Sequence, residues 1–342
     1  TIPISLAVIL GAFIYIVNII ANNNVIIGIT RTYDTSIIST LSLLLADFAP
    51  FVWYYELIYS LMYGMKIPKH AFITILAYCF IPIFYAGRGV YVSIVWNTVL
   101  IIFYFRRDKI SKAIGRIKNT IKSLGIFMIF AIILVIGYSV FIGHSRYGSD
   151  YVHHFEVVAN CEVSNSTMQI LSYFGIFALP LLNAMFYFSS AIVKVGMIFN
   201  YYSGPYLHGF YQLNYISRRF PELYSQYEKV SSQIIQIMVE HRCPLFYSAF
   251  DTGIGMSIYD FGRIGTVFVL FTAGWLAGRN YRHYLIHRTS YFVFFQVIIC
   301  EMVMTSTQLS PLYDNTRAYP VFISLMMCFI VMFLNRCSHK TL

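Results

Sequence analysis

Arginine and histidine are the residues in this sequence best suited to work on an anionic substrate. Arg88, Arg146, Arg218, Arg219, Arg242 and Arg263 fall between or at the edges of its apolar runs. An arginine fork pairs bidentately with phosphate oxygens and stays charged at physiological pH. His153, His154, His208 and His241 accompany them and can act as bases near neutrality. The carboxylates of the same polar region are Asp150, Glu156, Glu162, Glu222, Glu228, Glu240, Asp251 and Asp260. Together these types fit transfer chemistry with a phosphate leaving group.

Each group also has a plainer reading. Arg218 and Arg219 can pair with anionic lipid or with Glu222. Arg88, in Ala-Gly-Arg-Gly-Val, can anchor a hairpin at a membrane surface. Arg263 follows Asp260-Phe261-Gly262 at the start of an apolar run. A charge there is costly unless paired or wetted, so it is either functional or held in an Asp260–Arg263 pair. His153 and His154 are adjacent, which is poor metal-ligand spacing. None of the six cysteines forms a Cys-x-x-Cys or Cys-x3-Cys pair, so no metal is expected. Cys161 and Cys243 can form a disulfide if their compartment is oxidising. Asn165-Ser166-Thr167 matches a glycosylation sequon.

What positions these residues is a set of apolar helices. Of 342 residues, 58% are hydrophobic and 11% charged. A soluble domain carries roughly 25% charged residues. The apolar runs approach twenty residues, the length that crosses about 30 Å of hydrocarbon. The fold class is therefore all-α, a polytopic transmembrane protein forming a single transmembrane domain over 1–342. Eight spans are expected, at about 2–20, 37–63, 70–86, 89–105, 124–143, 262–279, 289–306 and 318–335.

Net charge is +10, and its distribution sets orientation rather than pointing to nucleic acid. The segment 106–123 holds seven Lys and Arg and reads as a cytoplasmic loop. Alternation from it puts fourteen of the 24 basic residues in four short segments on one side, with both termini there. The region 144–261 then begins and ends on the other side as one large extracytoplasmic loop, with zero or two crossings. Within it, 168–199 is apolar but interrupted by Pro180 and Lys194. That pattern fits a re-entrant or surface helical pair, or two short spans.

Pro221 to His241 places Leu223, Tyr227, Val230, Ile234, Ile237 and Met238 on one helical face. Pro221 suits a first turn, and the helix is expected to lie on a membrane surface or against a partner helix. Tyr201, Tyr202, Tyr206, Tyr211 and Tyr215 precede it and can stack on sugar rings or anchor at an interface. The eight expected spans are almost free of charge, apart from Asp47 and Glu56 in the second and Glu301 in the seventh. A transporter predicts more of these along a path, and often repeated halves. No internal repeat is visible.

The segment Leu245 to Arg282, LFYSAFDTGIGMSIYDFGRIGTVFVLFTAGWLAGRNYR, resembles the signature of bacterial oligosaccharide-repeat-unit (O-antigen, Wzy-type) polymerases. The features are Asp260-Phe261-Gly262 followed by a span with Gly265, Gly274 and Gly278. The Gly-Arg turn and basic loop of Ala86 to Lys109 are also similar, as is Arg242 separated from Gly253 by ten residues. The resemblance implies a fold like the multi-spanning, lipid-dependent (GT-C-like) glycosyltransferases, in the bacterial inner membrane with its active site on the periplasmic side. It implies metal-independent transfer of a growing glycan from undecaprenyl diphosphate onto an incoming lipid-linked repeat unit, with no cofactor. A chain-length regulator and a flippase are the implied partners, besides membrane lipid. On this reading Arg242 and Arg263 hold the diphosphate, supported by Arg88, Arg218 and Arg219. His241 is the candidate base, with Glu240 and Asp260 as alternatives. Tyr206, His208, Tyr211 and Tyr259 are the candidate glycan-binding residues. Two alternatives are an O-antigen ligase, transferring the glycan to a lipid A core, and a lipid-linked glycan flippase.

Overall fold

The structure, a computed structural model, describes residues 1–22, 36–84, 89–107, 125, 129, 133, 136–143, 145, 151–159, 162–217, 219–241, 252–287, 290–305 and 315–338. Among them every regular element is helical and there is no strand. The main helices are α1 (Ile2–Asn22), α2 (Ile37–Ala46), α3 (Ala49–Tyr63), α4 (Lys69–Phe84) and α5 (Gly89–Arg107). They are followed by α6 (Tyr151–Ala159), α7 (Asn165–Ser172), α8 (Ala178–Tyr201), α9 (Pro221–Glu240), α10 (Gly253–His287), α11 (Ser290–Thr305) and α12 (Asn315–Ser338).

Three stretches are long and apolar enough to cross a membrane: Ile2–Ala21, Ile37–Tyr63 and Gly253–His283. At 1.5 Å per residue, even the 20-residue first stretch reaches about 30 Å. Lys69–Phe84, Gly89–Phe103, Val293–Val303 and Ala318–Ile330 are apolar but shorter, and lie where four of the expected spans were placed. Nine of the twenty residues of 124–143, the basic segment 108–123 and Cys161 and Cys243 lie outside the described residues.

The described chain divides into two compact units. The first comprises residues 1–142, 277–301 and 319–342. Here α1 packs on α2 and α4, and α3 on α4 and α5. Gly11 sets the α1–α2 approach: a Cβ there would lie 2.6 Å from the Ser42 carbonyl and 2.7 Å from Leu45 Cβ. Removing the side chain lets the two backbones meet, as small residues do where apolar helices cross. The run 37–63 is two helices rather than one, with Asp47 capping α2 and Pro50 in the first turn of α3. The buried Asp47 accepts a 3.0 Å hydrogen bond from the Tyr78 hydroxyl. Gly64, at φ 65°, closes α3 in the left-handed conformation that glycine adopts without a Cβ penalty.

The second unit comprises 143–276 and 302–318. A small core joins Phe155 of α6 and Leu171 of α7 to Ala178 and Leu182 of α8. The segment 168–199 thus contains the end of α7, a tight turn at Gly175–Phe177, and most of the 24-residue α8. The larger core draws on four segments. Ile198 comes from α8, Tyr202, Leu207 and Tyr211 from the loop after it, Val230, Ile234, Ile237 and Met238 from α9, and Met256, Ile258 and Tyr259 from α10. The expected apolar face of α9 is the face that is buried, against protein helices, with Pro221 in its first turn.

Candidate functional site around the broken helix

The segment Asp260-Phe261-Gly262 interrupts α10. Gly262 has φ 69° and ψ −179° between two helical halves. Residues with a Cβ are excluded from that region. A Cβ on Gly262 would also sit 3.2 Å from Tyr206 Cζ. Conformation therefore requires glycine, and the Tyr206 ring would have to shift to admit a Cβ.

The loop between α8 and α9 fastens onto this break. The Leu207 and His208 amides donate to the carbonyls of Tyr259 and Asp260, at 3.2 and 2.8 Å. The Asp260 carboxylate returns the contact: Oδ1 accepts from the Tyr211 amide at 2.8 Å and Oδ2 from the Gln212 amide at 3.1 Å. Gln212 Nε2 adds a 3.2 Å bond to Ser257 Oγ. His208, at φ 53°, and Gly209, at φ 103°, turn the chain tightly enough to present successive amides to one helix end. Tyr202 closes the base of the loop. Its hydroxyl donates to the Pro205 carbonyl, and burial pushes the phenol above its ordinary pKa, with Tyr206 and Asp260 adding to the effect.

Arg263 opens the second half of α10 and reaches the end of α8. Its Nη2 donates to the Asn200 carbonyl at 2.9 Å, with the Tyr202 carbonyl at 3.5 Å, and its guanidinium carbon lies 5.4 Å from the Phe199 ring centroid. A cation at a helix C-terminus satisfies orphan carbonyls and opposes the negative end of the dipole. His241 comes to the same turn from the end of α9, where its ring stacks on Tyr201 at 3.6 Å between centroids and 21° between planes. The last turn of α8 thus gathers Arg263 and His241, both exposed.

The expected site residues separate into four sets, the last of them buried. Arg263, His241, Tyr206 and His208 are exposed on this assembly, and the exposed Glu240 accepts from Gln236 Nε2 at 2.7 Å. Arg219 is exposed, with no contact to the α8 end shown. Arg88, Arg218 and Arg242 lie outside the described residues.

Three expectations are corrected. Asp260 is 0% exposed and spends both oxygens on loop amides, so it holds the loop rather than meeting an acceptor hydroxyl. It does not pair with Arg263, which has turned to the carbonyls of α8. Tyr211 and Tyr259, 3% and 0% exposed, meet edge to face at 4.7 Å in the core, and Tyr211 also stacks on Tyr227. Their rings are consumed by protein packing and offer no face to a sugar.

Sequence reading missed Asn200 and Phe199. The contribution of Asn200 is a backbone carbonyl, which leaves no side-chain signature. Among the described residues, no group of three or more His, Cys, Asp or Glu is placed to hold a metal ion. No family model, curated protein or solved structure matches the chain.

Proposed function

We propose that this protein polymerises undecaprenyl-diphosphate-linked oligosaccharide repeat units in the bacterial inner membrane, with its active site on the periplasmic side. The observation that carries the reading is that Arg263 and His241 both contact the last turn of α8, in an assembly that also exposes Tyr206 and His208. A cation, a base and aromatic or imidazole surfaces sit on one assembly, headed by an apolar helix. An acceptor hydroxyl attacks the anomeric carbon of the growing glycan as the bond to the diphosphate oxygen breaks. Arg263 faces the charge developing on the departing diphosphate, and His241 takes the hydroxyl proton. Arg88 and Arg242 complete the cationic set in this proposal, Arg218 and Arg219 support it, and Asp260 acts as a positioning residue.

The test uses cells lacking the native gene, complemented with single variants, with surface polysaccharide resolved on a gel. Arg263→Ala and His241→Ala should collapse the ladder while the protein remains in the membrane. A full ladder in both overturns the assignment. Deletion distinguishes the ligase: loss of a polymerase leaves a single capped repeat unit, loss of a ligase none.

A further inference from the structure

The turn between α7 and α8 carries a cluster of large apolar side chains that the fold leaves uncovered. Tyr173 is 88% exposed, Phe174 46%, Ile176 59% and Phe177 46%. Their neighbours in sequence face the other way: Leu171, Ala178 and Leu182 pack with Phe155 in the small core of this unit. The turn is thus braced on one side and open on the other. Gly175, at φ 50°, reverses the chain between Phe174 and Ile176, with open space where a Cβ would stand. Four amides bond within the turn and its flanks: Tyr173 donates to the Ile170 carbonyl at 3.2 Å, Phe174 to Leu171 at 3.0 Å, Phe177 to Phe174 at 3.0 Å, and Ala178 to Gly175. The Ser172 hydroxyl donates to the Gln169 carbonyl at 2.7 Å. From Val163 to Val193 the sequence holds no Asp, Glu, Lys, Arg or His.

We propose that the turn at 173–177 is a membrane-inserted tip, seated among the acyl chains of one leaflet without crossing the bilayer. A contiguous exposed apolar patch marks a contact with protein, ligand or membrane. The backbone favours lipid, because polar main-chain groups in hydrocarbon need partners inside the protein. The lack of charge agrees, since an ionisable side chain in hydrocarbon is costly. Helices that pack on one another in a membrane approach through small residues, whereas this tip presents four large ones. A sugar site combines apolar faces with several placed polar groups, and these four side chains carry a single hydroxyl, that of Tyr173. Depth follows from length. The eight residues of α7 reach about 12 Å, less than half of the roughly 30 Å hydrocarbon layer. Its start is polar: Ser164 Oγ accepts from the Thr167 amide at 3.3 Å, and Asn165 and Ser166 are exposed, which suits the headgroup level. The chain then returns through α8. This inference does not depend on the polymerase reading.

The test places the photoreactive residue p-benzoylphenylalanine in the full chain at Ile176, and in separate variants at Tyr173 and at Lys229. Lys229 is exposed on the polar face of α9 and serves as the control. Cells are irradiated intact, and the protein is purified and analysed by mass spectrometry. The two tip positions should each gain the mass of a phospholipid, attached through an acyl chain, and position 229 should not. The variant at Tyr173 keeps the test decisive if the one at Ile176 fails to accumulate. An adduct at the tip to another protein, to a second copy of this chain or to a glycan overturns the proposal. So does the absence of a lipid adduct at the tip, or one as abundant at 229.

Discussion

The Asp260 carboxylate accepts the Tyr211 amide at 2.8 Å, across 49 residues of sequence. With the Gln212 bond it joins the α8–α9 loop to the break in α10, so loop geometry depends on one buried charge. Asp260→Asn replaces one carboxylate oxygen with an NH2 that cannot accept from the opposing amide. It should destabilise the protein by about 1.5–3 kcal/mol, the scale of one charged hydrogen bond. Hydrogen–deuterium exchange at Tyr211 and Gln212 should accelerate accordingly, and unchanged protection would refute the role.

Gly262→Ala introduces a Cβ at φ 69°, 3.2 Å from Tyr206 Cζ. Backbone strain alone is worth about 1–3 kcal/mol. Adding Tyr206→Ala should recover the steric part only. A double-mutant cycle by thermal denaturation in detergent would therefore show a favourable coupling smaller than the total loss.

Arg263 should matter more to activity than to folding. Its side chain is exposed, and it caps α8 through carbonyls that water can also reach. On the proposed function, Arg263→Ala should lower polymerisation by about 10²–10³-fold, the usual effect of removing one donor from developing negative charge. Arg263→Lys keeps the charge without the fork and should fall between the two. The measurement is glycan chain growth by purified protein on a lipid-linked repeat unit. A melting midpoint lowered as much as in Asp260→Asn would make Arg263 a structural residue.

Gly11→Leu tests the α1–α2 crossing. Even a methyl group would overlap the Ser42 carbonyl and Leu45 Cβ, so the helices must separate. Overpacking of this kind typically costs about 1–3 kcal/mol or more. A cysteine cross-link across the two helices should form less readily in the variant, and equal efficiency would count against the close approach.

Hydrophobic patterning made much of the fold legible. Apolar runs revealed the helices, and the 3.6-residue period of Val230, Ile234, Ile237 and Met238 identified the buried face of α9. Asp260-Phe261-Gly262 stood out as a boundary, and the break in α10 falls at its glycine. The partners of those residues were not legible. Asp260 and Arg263 are three apart with opposite charges, so local spacing suggests a pair. Gly262 lies between them with a left-handed backbone, and its φ reorients the helix so that they face different neighbours. Composition likewise marked the tyrosines as amphipathic but could not tell the buried Tyr211 and Tyr259 from the exposed Tyr206.

By itself, the sequence determined that this is a helical chain with stretches able to cross a membrane, because solvent preference and helical period are properties of consecutive residues. The tertiary structure alone decided that Asp260 turns inward to loop amides, that Arg263 caps α8, and that His241 meets Tyr201 at the same turn. Those outcomes depend on which backbone groups are left unsatisfied at helix ends, and only the folded chain brings distant residues there.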